Sequence, residues 1–288
     1  EAPGLLQDGY IDAFFYTDQT EVEENRTTFK VNLGVFAESG EGIDLESGTR
    51  LKLVMPGFQD RLHLVLSGNP DTYDEVLGES TDTLPEEDPT VDEGADGPSA
   101  ALRFFVLDDL KRNLSFSAGV RIRDSQLVGF PEARYRRLFD LEDDDKVLRF
   151  EQRLIWYTDD GWRESTKVDL DVLLSEEFLL RTTLRGVWAE EDPGYAYNLN
   201  FRLFHRLWKR AALSYEWINA FDVCTVGQLD EVLLKANYRQ SFWRPWLFFE
   251  IIPQVSFPET EDFDPIPGIR FRIEALFGHY IRPEGGDK

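Results

Sequence analysis

Basic residues recur at every second position through much of this 288-residue chain, a spacing that lines them up on one face of a β-strand. The repeats are Arg121 with Arg123; Arg149 with Arg153, and Glu151 between them; Arg163 with Lys167, running on into Asp169 and Asp171; Arg181 with Arg185; and Arg270 with Arg272, followed by Glu274. Arg202, Glu216 and Glu250 hold the same phase in segments of their own. Guanidinium and ammonium groups aligned this way attract and orient anions. Acid–base or nucleophilic catalysis would instead need a base within hydrogen-bond reach of a nucleophile or an activated water. His63, His205 and His279 are the only histidines, and no Gly-x-Ser-x-Gly turn or His-Glu-x-x-His helix accompanies them. Cys224 is the only cysteine, so the chain has neither an internal disulfide nor a Cys-rich metal site. Sequence therefore assigns no catalytic residue, no metal ligands and no cofactor.

The elements that carry these residues alternate apolar and polar positions with period two. Leu114, Phe116, Ala118, Val120 and Ile122 interleave with Ser115, Ser117, Gly119, Arg121 and Arg123. Leu148, Phe150, Leu154 and Trp156 interleave with Arg149, Glu151 and Arg153. Such a strand meets an apolar medium on one face and a wet or charged one on the other. The segments run to about 10–13 residues, against about five or six in soluble sheets and roughly 9–11 in transmembrane barrels. No run of about eighteen apolar residues is present, which excludes transmembrane helices. The pattern predicts an all-β, antiparallel, up-and-down transmembrane barrel with apolar residues toward lipid and polar residues toward the lumen.

Fourteen strands are expected: 27–37, 45–55, 59–67, 100–107, 112–123, 132–139, 146–157, 161–174, 177–188, 195–207, 210–219, 229–240, 246–257 and 268–278. Twelve is the alternative, because 100–107 and 132–139 are weakly patterned. An even count leaves both ends on the periplasmic side, with short turns there and longer loops outside. Aromatic residues cluster where interfacial girdles belong: Trp156, Trp162, Trp188 and Tyr195 at the outer strand ends, and Trp208, Trp243 and Trp246 at the inner ends.

The chain divides into an acidic segment 1–26, expected as a periplasmic tail or plug, a barrel over 27–278 and a tail over 279–288. Glu1 opens on an acidic, polar stretch, so any targeting segment is expected to have been removed. Net charge is −24, which disfavours nucleic acid as a partner. The acids concentrate in segment 1–26 and in a long loop at 68–99, which has eleven Asp or Glu and no Lys or Arg. That loop is expected to be extracellular. No Asp-x-Asp-x-Asp-Gly loop closed by Glu marks it as a calcium site. The inward face is by contrast predominantly basic, so an acidic protein is expected to wrap a basic interior.

The closing segment, in which Gly268 precedes Ile269, Phe271, Ile273, Ala275 and Phe277 at alternate positions, resembles the C-terminal signature strand of Gram-negative outer-membrane β-barrel proteins. In that family a glycine is followed by alternating apolar residues and a terminal aromatic. The resemblance implies a bacterial outer-membrane location, contact with outer-membrane lipid, and recognition of Gly268, Phe271, Ile273 and Phe277 by the barrel-assembly machinery. Three functions suit such a barrel. A water-filled basic lumen makes an anion-favouring pore. A plugged or salt-bridged interior makes a rigid scaffold that docks a periplasmic or extracellular protein. A hydrolase site on the wall or at the extracellular rim is the third.

Overall fold

A computed structural model describes residues 27–40, 42–55, 61–68, 96–109, 111–123, 125–141, 145–191, 194–221 and 228–278. Its strands are β1 (Thr28–Glu38), β2 (Gly42–Val54), β3 (Leu62–Ser67), β4 (Asp96–Asp109), β5 (Arg112–Arg123), β6 (Gln126–Asp140) and β7 (Lys146–Tyr157). They continue with β8 (Gly161–Ser175), β9 (Phe178–Ala189), β10 (Tyr195–Trp208), β11 (Ala211–Phe221), β12 (Leu229–Ser241), β13 (Leu247–Pro258) and β14 (Ile266–Phe277). Each strand pairs with its neighbours in sequence, and β14 pairs back onto β1, which closes a fourteen-stranded antiparallel barrel. The seam runs from Phe29 opposite Phe277 to Glu38 opposite Gly268, so β1 starts and β14 finishes at the same end of the barrel.

Alternation within each strand sets the two faces. Phe116, Leu184, Phe271 and Ile273 are exposed on the outer wall, whereas Ser115, Arg185 and Glu274 on the opposite phase are buried. A closed barrel has no unpaired edge, so its backbone groups are satisfied across the ladder and its outer wall can be apolar throughout. One helical turn interrupts the strands among the described residues, a 3-10 turn at Glu259–Glu261.

Four strands begin earlier than the pattern predicts, β14 by two residues, at Ile266, and the others by more. β6 starts at Gln126 rather than at residue 132, because Gly129 and Pro131 read as loop residues yet lie within the strand, with Pro131 opposite Ala118. The predicted loop over 124–131 is therefore a tight turn, in which Ser125 takes a positive φ of 64°. β4 starts at Asp96, so the acidic stretch gives up its last residues to the sheet, and β2 starts at Gly42. Both doubtful strands are present, and the twelve-stranded alternative falls. The β5–β6 and β7–β8 connections are both tight, so long and short loops do not sort cleanly by end. Segments 1–26 and 279–288, His279, Cys224 and most of the acidic loop lie outside the described residues.

Candidate functional site: the inward face of the barrel

Ladder register sets like charges side by side on the inward face. Lys30 lies opposite Arg50, Arg134 opposite Arg153, Lys167 opposite Arg185 and Arg181 opposite Arg202. Directly opposed like charges repel, and they are held here by acids on the flanking rungs and strands. Arg134 donates to Glu151 at 2.6 Å, and Arg153 donates through Nε to Glu132 at 3.3 Å. Asp171 accepts from Arg181 Nε at 2.7 Å and also pairs with Arg149. Lys167 Nζ lies 4.0 Å from Asp169, which in turn accepts the Thr183 hydroxyl at 2.6 Å. Glu216 pairs with Arg202 and, at 3.2 Å, with Lys235.

Some pairs reach over an intervening strand, and in two of them a small residue lies in the path. Arg270 donates to Glu46 at 2.9 Å across β1, where Gly34 leaves room: a Cβ at Gly34 would come within 3.0 Å of Glu46 Oε2. Arg103 reaches Glu132 at 3.6 Å across β5 over Ser117, whose hydroxyl accepts from Arg103 Nε at 3.1 Å. Beside the seam, Arg239 pairs with both Glu250 and Glu274, while Lys30 lies 3.4 Å from Glu274 and Arg272 lies 3.6 Å from Glu250. Arg239 and Glu274 are each only 2% exposed.

Aromatic rings carry several of the same cations. At the end away from the termini, the Tyr157 ring has Arg121 at 4.2 Å, Arg123 at 5.8 Å and Arg163 at 5.9 Å. Asp159 and Asp160, in the tight β7–β8 turn, supply counter-charge, with Arg123 at 3.2 Å from Asp159 and Arg121 at 3.7 Å from Asp160. At the opposite end Arg181 and Arg202 lie over Phe204, and Arg239 lies over Phe248 at 4.1 Å. Arg185 is buried opposite Asn198.

The sequence reading missed Glu132, Glu46, Asp159 and Asp160. Glu132 sits in phase with Arg134 and Arg136, so the signal was present but stood beside a proline taken as a strand end. It also missed that the inward face turns apolar toward both ends. Val128, Phe130, Ile155 and Tyr157 cluster at one end, and Leu179 with Phe204 at the other.

On the outer wall Trp156 lies opposite Trp162, and Tyr195 opposite Trp188, at the end away from the termini. Trp208 and Trp243 are exposed at the other end, where the Trp246 ring lies 4.7 Å from that of Phe277. Gly268 faces inward, where a Cβ would meet the Phe36 ring at 3.0 Å, and Phe271, Ile273 and Phe277 face outward. His63 is buried with its ring 4.7 Å from Phe105, and His205 stacks on Phe178 at 4.3 Å.

A closed barrel with an apolar outer wall and a charged inner one is a membrane-spanning β-barrel. Its fold is that of solved outer-membrane channels. The Pseudomonas aeruginosa channel OccK10 (OpdN) matches with a TM-score of 0.52 at 7% identity, over 89% of this chain and 100% of that chain. An OmpT loop-deletion mutant, from an outer membrane protein of Vibrio cholerae, matches with a TM-score of 0.51 at 9% identity, over 87% of this chain and 98% of that chain. Pseudomonas aeruginosa OpdQ matches with a TM-score of 0.50 at 7% identity, over 88% and 98%. No family model and no curated protein matches the sequence. The likeness to these proteins is one of fold.

Proposed function

We propose that this barrel is an outer-membrane pore whose basic inner wall favours anions. The observation that carries this reading is the set of directly opposed inward cations, Lys30 with Arg50, Arg134 with Arg153, Lys167 with Arg185 and Arg181 with Arg202. Opposed cations destabilise a wall that has only structural work to do, while in a pore they set a positive potential that low-dielectric walls focus onto passing solutes.

The test is conductance in planar bilayers under a potassium chloride gradient. Wild type is expected to pass chloride in preference to potassium. Replacing Lys167 and Arg185 together by Gln is expected to shift the reversal potential toward zero, since each removed charge lowers the field along the wall. Cation preference in wild type would overturn the reading.

A second reading, a closed barrel that serves as a scaffold for a partner protein, draws on the burial of Arg239, Glu250 and Glu274 in one ion-paired cluster. Absence of conductance in both wild type and the Lys167/Arg185 variant would favour it.

A further inference from the structure

We infer that the outer wall at β7–β9 holds a binding site for an outer-leaflet glycolipid, centred on Glu164. Gln152 lies opposite Thr166, and Glu164 lies between Leu154 and Trp188 in the ladder. The alternate positions Arg153 and Ser165 are buried on the inner face, so Gln152, Glu164 and Thr166 share the outward face with Trp156 and Trp162. The three polar residues form one chain of hydrogen bonds. The Thr166 hydroxyl donates to Gln152 Oε1 at 2.8 Å, and Gln152 Nε2 donates to Glu164 Oε1 at 2.8 Å.

A carboxylate on the outer wall at the edge of the apolar band needs hydrogen-bond donors to stay charged beside its apolar neighbours. Hydrocarbon offers it nothing, and its neighbours on this face are Trp162, Trp188 and Leu154. The chain of donors runs toward Glu164 and ends there, so the occupant must bring hydrogen-bond donors of its own. Depth fixes what kind. Glu164 lies one rung inside Trp162, at the level of the aromatic girdle where polar head groups meet acyl chains.

Beside it the wall is notched. Gly186 lies opposite Thr166 and Tyr197, and a Cβ there would meet only the Ala196 carbonyl oxygen, at 4.0 Å. A polar acceptor next to a bare patch, framed by indole rings, matches the sugar–acyl junction of a glycolipid. Its hydroxyl and amide N–H groups would reach Glu164 and Gln152, and an acyl chain would lie in the Gly186 notch. A glycerophospholipid such as phosphatidylglycerol has ester carbonyls at this depth and no amide N–H to offer Glu164.

Purified full-length protein in detergent micelles, mixed with rough lipopolysaccharide or phosphatidylglycerol and read by native mass spectrometry, tests the site. Wild type is expected to retain lipopolysaccharide in preference to phosphatidylglycerol. Glu164→Leu is expected to lose about tenfold in retention, the equivalent of one charge-assisted hydrogen bond. Gly186→Leu, which fills the notch and leaves the hydrogen bonds in place, is expected to weaken retention in the same direction, while Phe116→Leu on β5 keeps it. If Glu164→Leu does not refold, Gly186→Leu decides. Unchanged retention in Gly186→Leu, or equal retention of phosphatidylglycerol by wild type, would overturn the inference. So would a wild-type dimer that Glu164→Leu renders monomeric, since the occupant would then be a second copy of the chain.

Discussion

Glu132→Leu separates a solvated lumen from a close-packed one. The Glu132 side chain is fully out of solvent, 3.3 Å from Arg153 Nε, 3.6 Å from Arg103 and 3.5 Å from the Ser117 hydroxyl that donates to it. Arg153 also faces Arg134 directly across the ladder. Leucine keeps roughly the volume and removes the carboxylate that two buried guanidiniums share. Breaking a buried pair from one side costs about 3–5 kcal/mol, because the remaining charge stays in a low-dielectric site. Glu151→Leu is the internal comparison. Glu151 is partly exposed and bonds to Arg134, so its loss should cost about 1.5–3 kcal/mol, the range for a hydrogen bond to a charged group. Arg153→Leu added to Glu132→Leu should recover part of the loss, since it deletes one of the stranded cations. Folding into lipid vesicles across a urea series, followed by tryptophan fluorescence and by heat-modifiable gel mobility, measures all of these. A cost for Glu132→Leu below about 1 kcal/mol, the value of a solvent-exposed ion pair, would refute the reasoning and mean that water bathes this stretch of the inner wall.

Two further substitutions probe the wall. Leu170→Arg puts a cation on the lipid-facing side near the middle of β8 and should cost about 2–4 kcal/mol. Asp169→Asn on the inner side keeps an acceptor for Thr183 and should cost about 1 kcal/mol. Equal effects in the same refolding assay would mean the two faces are interchanged. At the seam, Gly34→Leu would force a side chain between Arg270 and Glu46, with its Cβ 3.0 Å from Glu46 Oε2 and 3.2 Å from the Phe271 carbonyl oxygen. Overpacking of this kind costs about 1–3 kcal/mol and should show as a lower melting temperature of the heat-modifiable band; an unchanged midpoint would mean that the Arg270–Glu46 pair does not help close the barrel.

Period-two alternation was readable in single strands because the backbone of an extended chain sends successive side chains to opposite faces whatever lies beside it. Arg149 and Leu148, or Arg181 and Leu180, are separated to opposite faces by that rule alone. The start of β6 escaped it for a local reason. Gly129 and Pro131 are strong turn formers in an isolated segment, and pairing with β5, together with the hydrogen bonds between Gly129 and Thr158, holds them extended. Partnership was the least legible layer. Which acid neutralises which arginine depends on the offset between neighbouring strands and on small residues such as Gly34 and Ser117 that let a side chain pass over a strand. Neither property belongs to any one segment, so Glu46, more than two hundred positions from Arg270 in sequence, could not be matched to it beforehand.

The inward apolar residues bear on function as much as the charges do. The polar face was expected to be polar along its whole length, yet Phe130, Ile155 and Tyr157 stand at one end of the inner stripes of β6 and β7, and Leu179, Phe204 and Phe248 at the other end in β9, β10 and β13. Part of the charged belt is therefore flanked by apolar residues, and some of these hold guanidiniums directly, with Arg121 over Tyr157 and Arg239 over Phe248. A ring that fixes a cation reduces the freedom of a long side chain that would otherwise sample the lumen, and it lowers the local dielectric in which that cation acts. Each arginine in such a belt exerts a stronger field than the same residue on a solvated wall. Each acid does so as well, so the sign of the field rests on the balance between them. If the opposed pairs Lys167–Arg185 and Lys30–Arg50 set that balance, removing one of them moves the reversal potential, and this is why the reversal potential of the Lys167/Arg185 variant, more than the absolute conductance, tests the proposed selectivity.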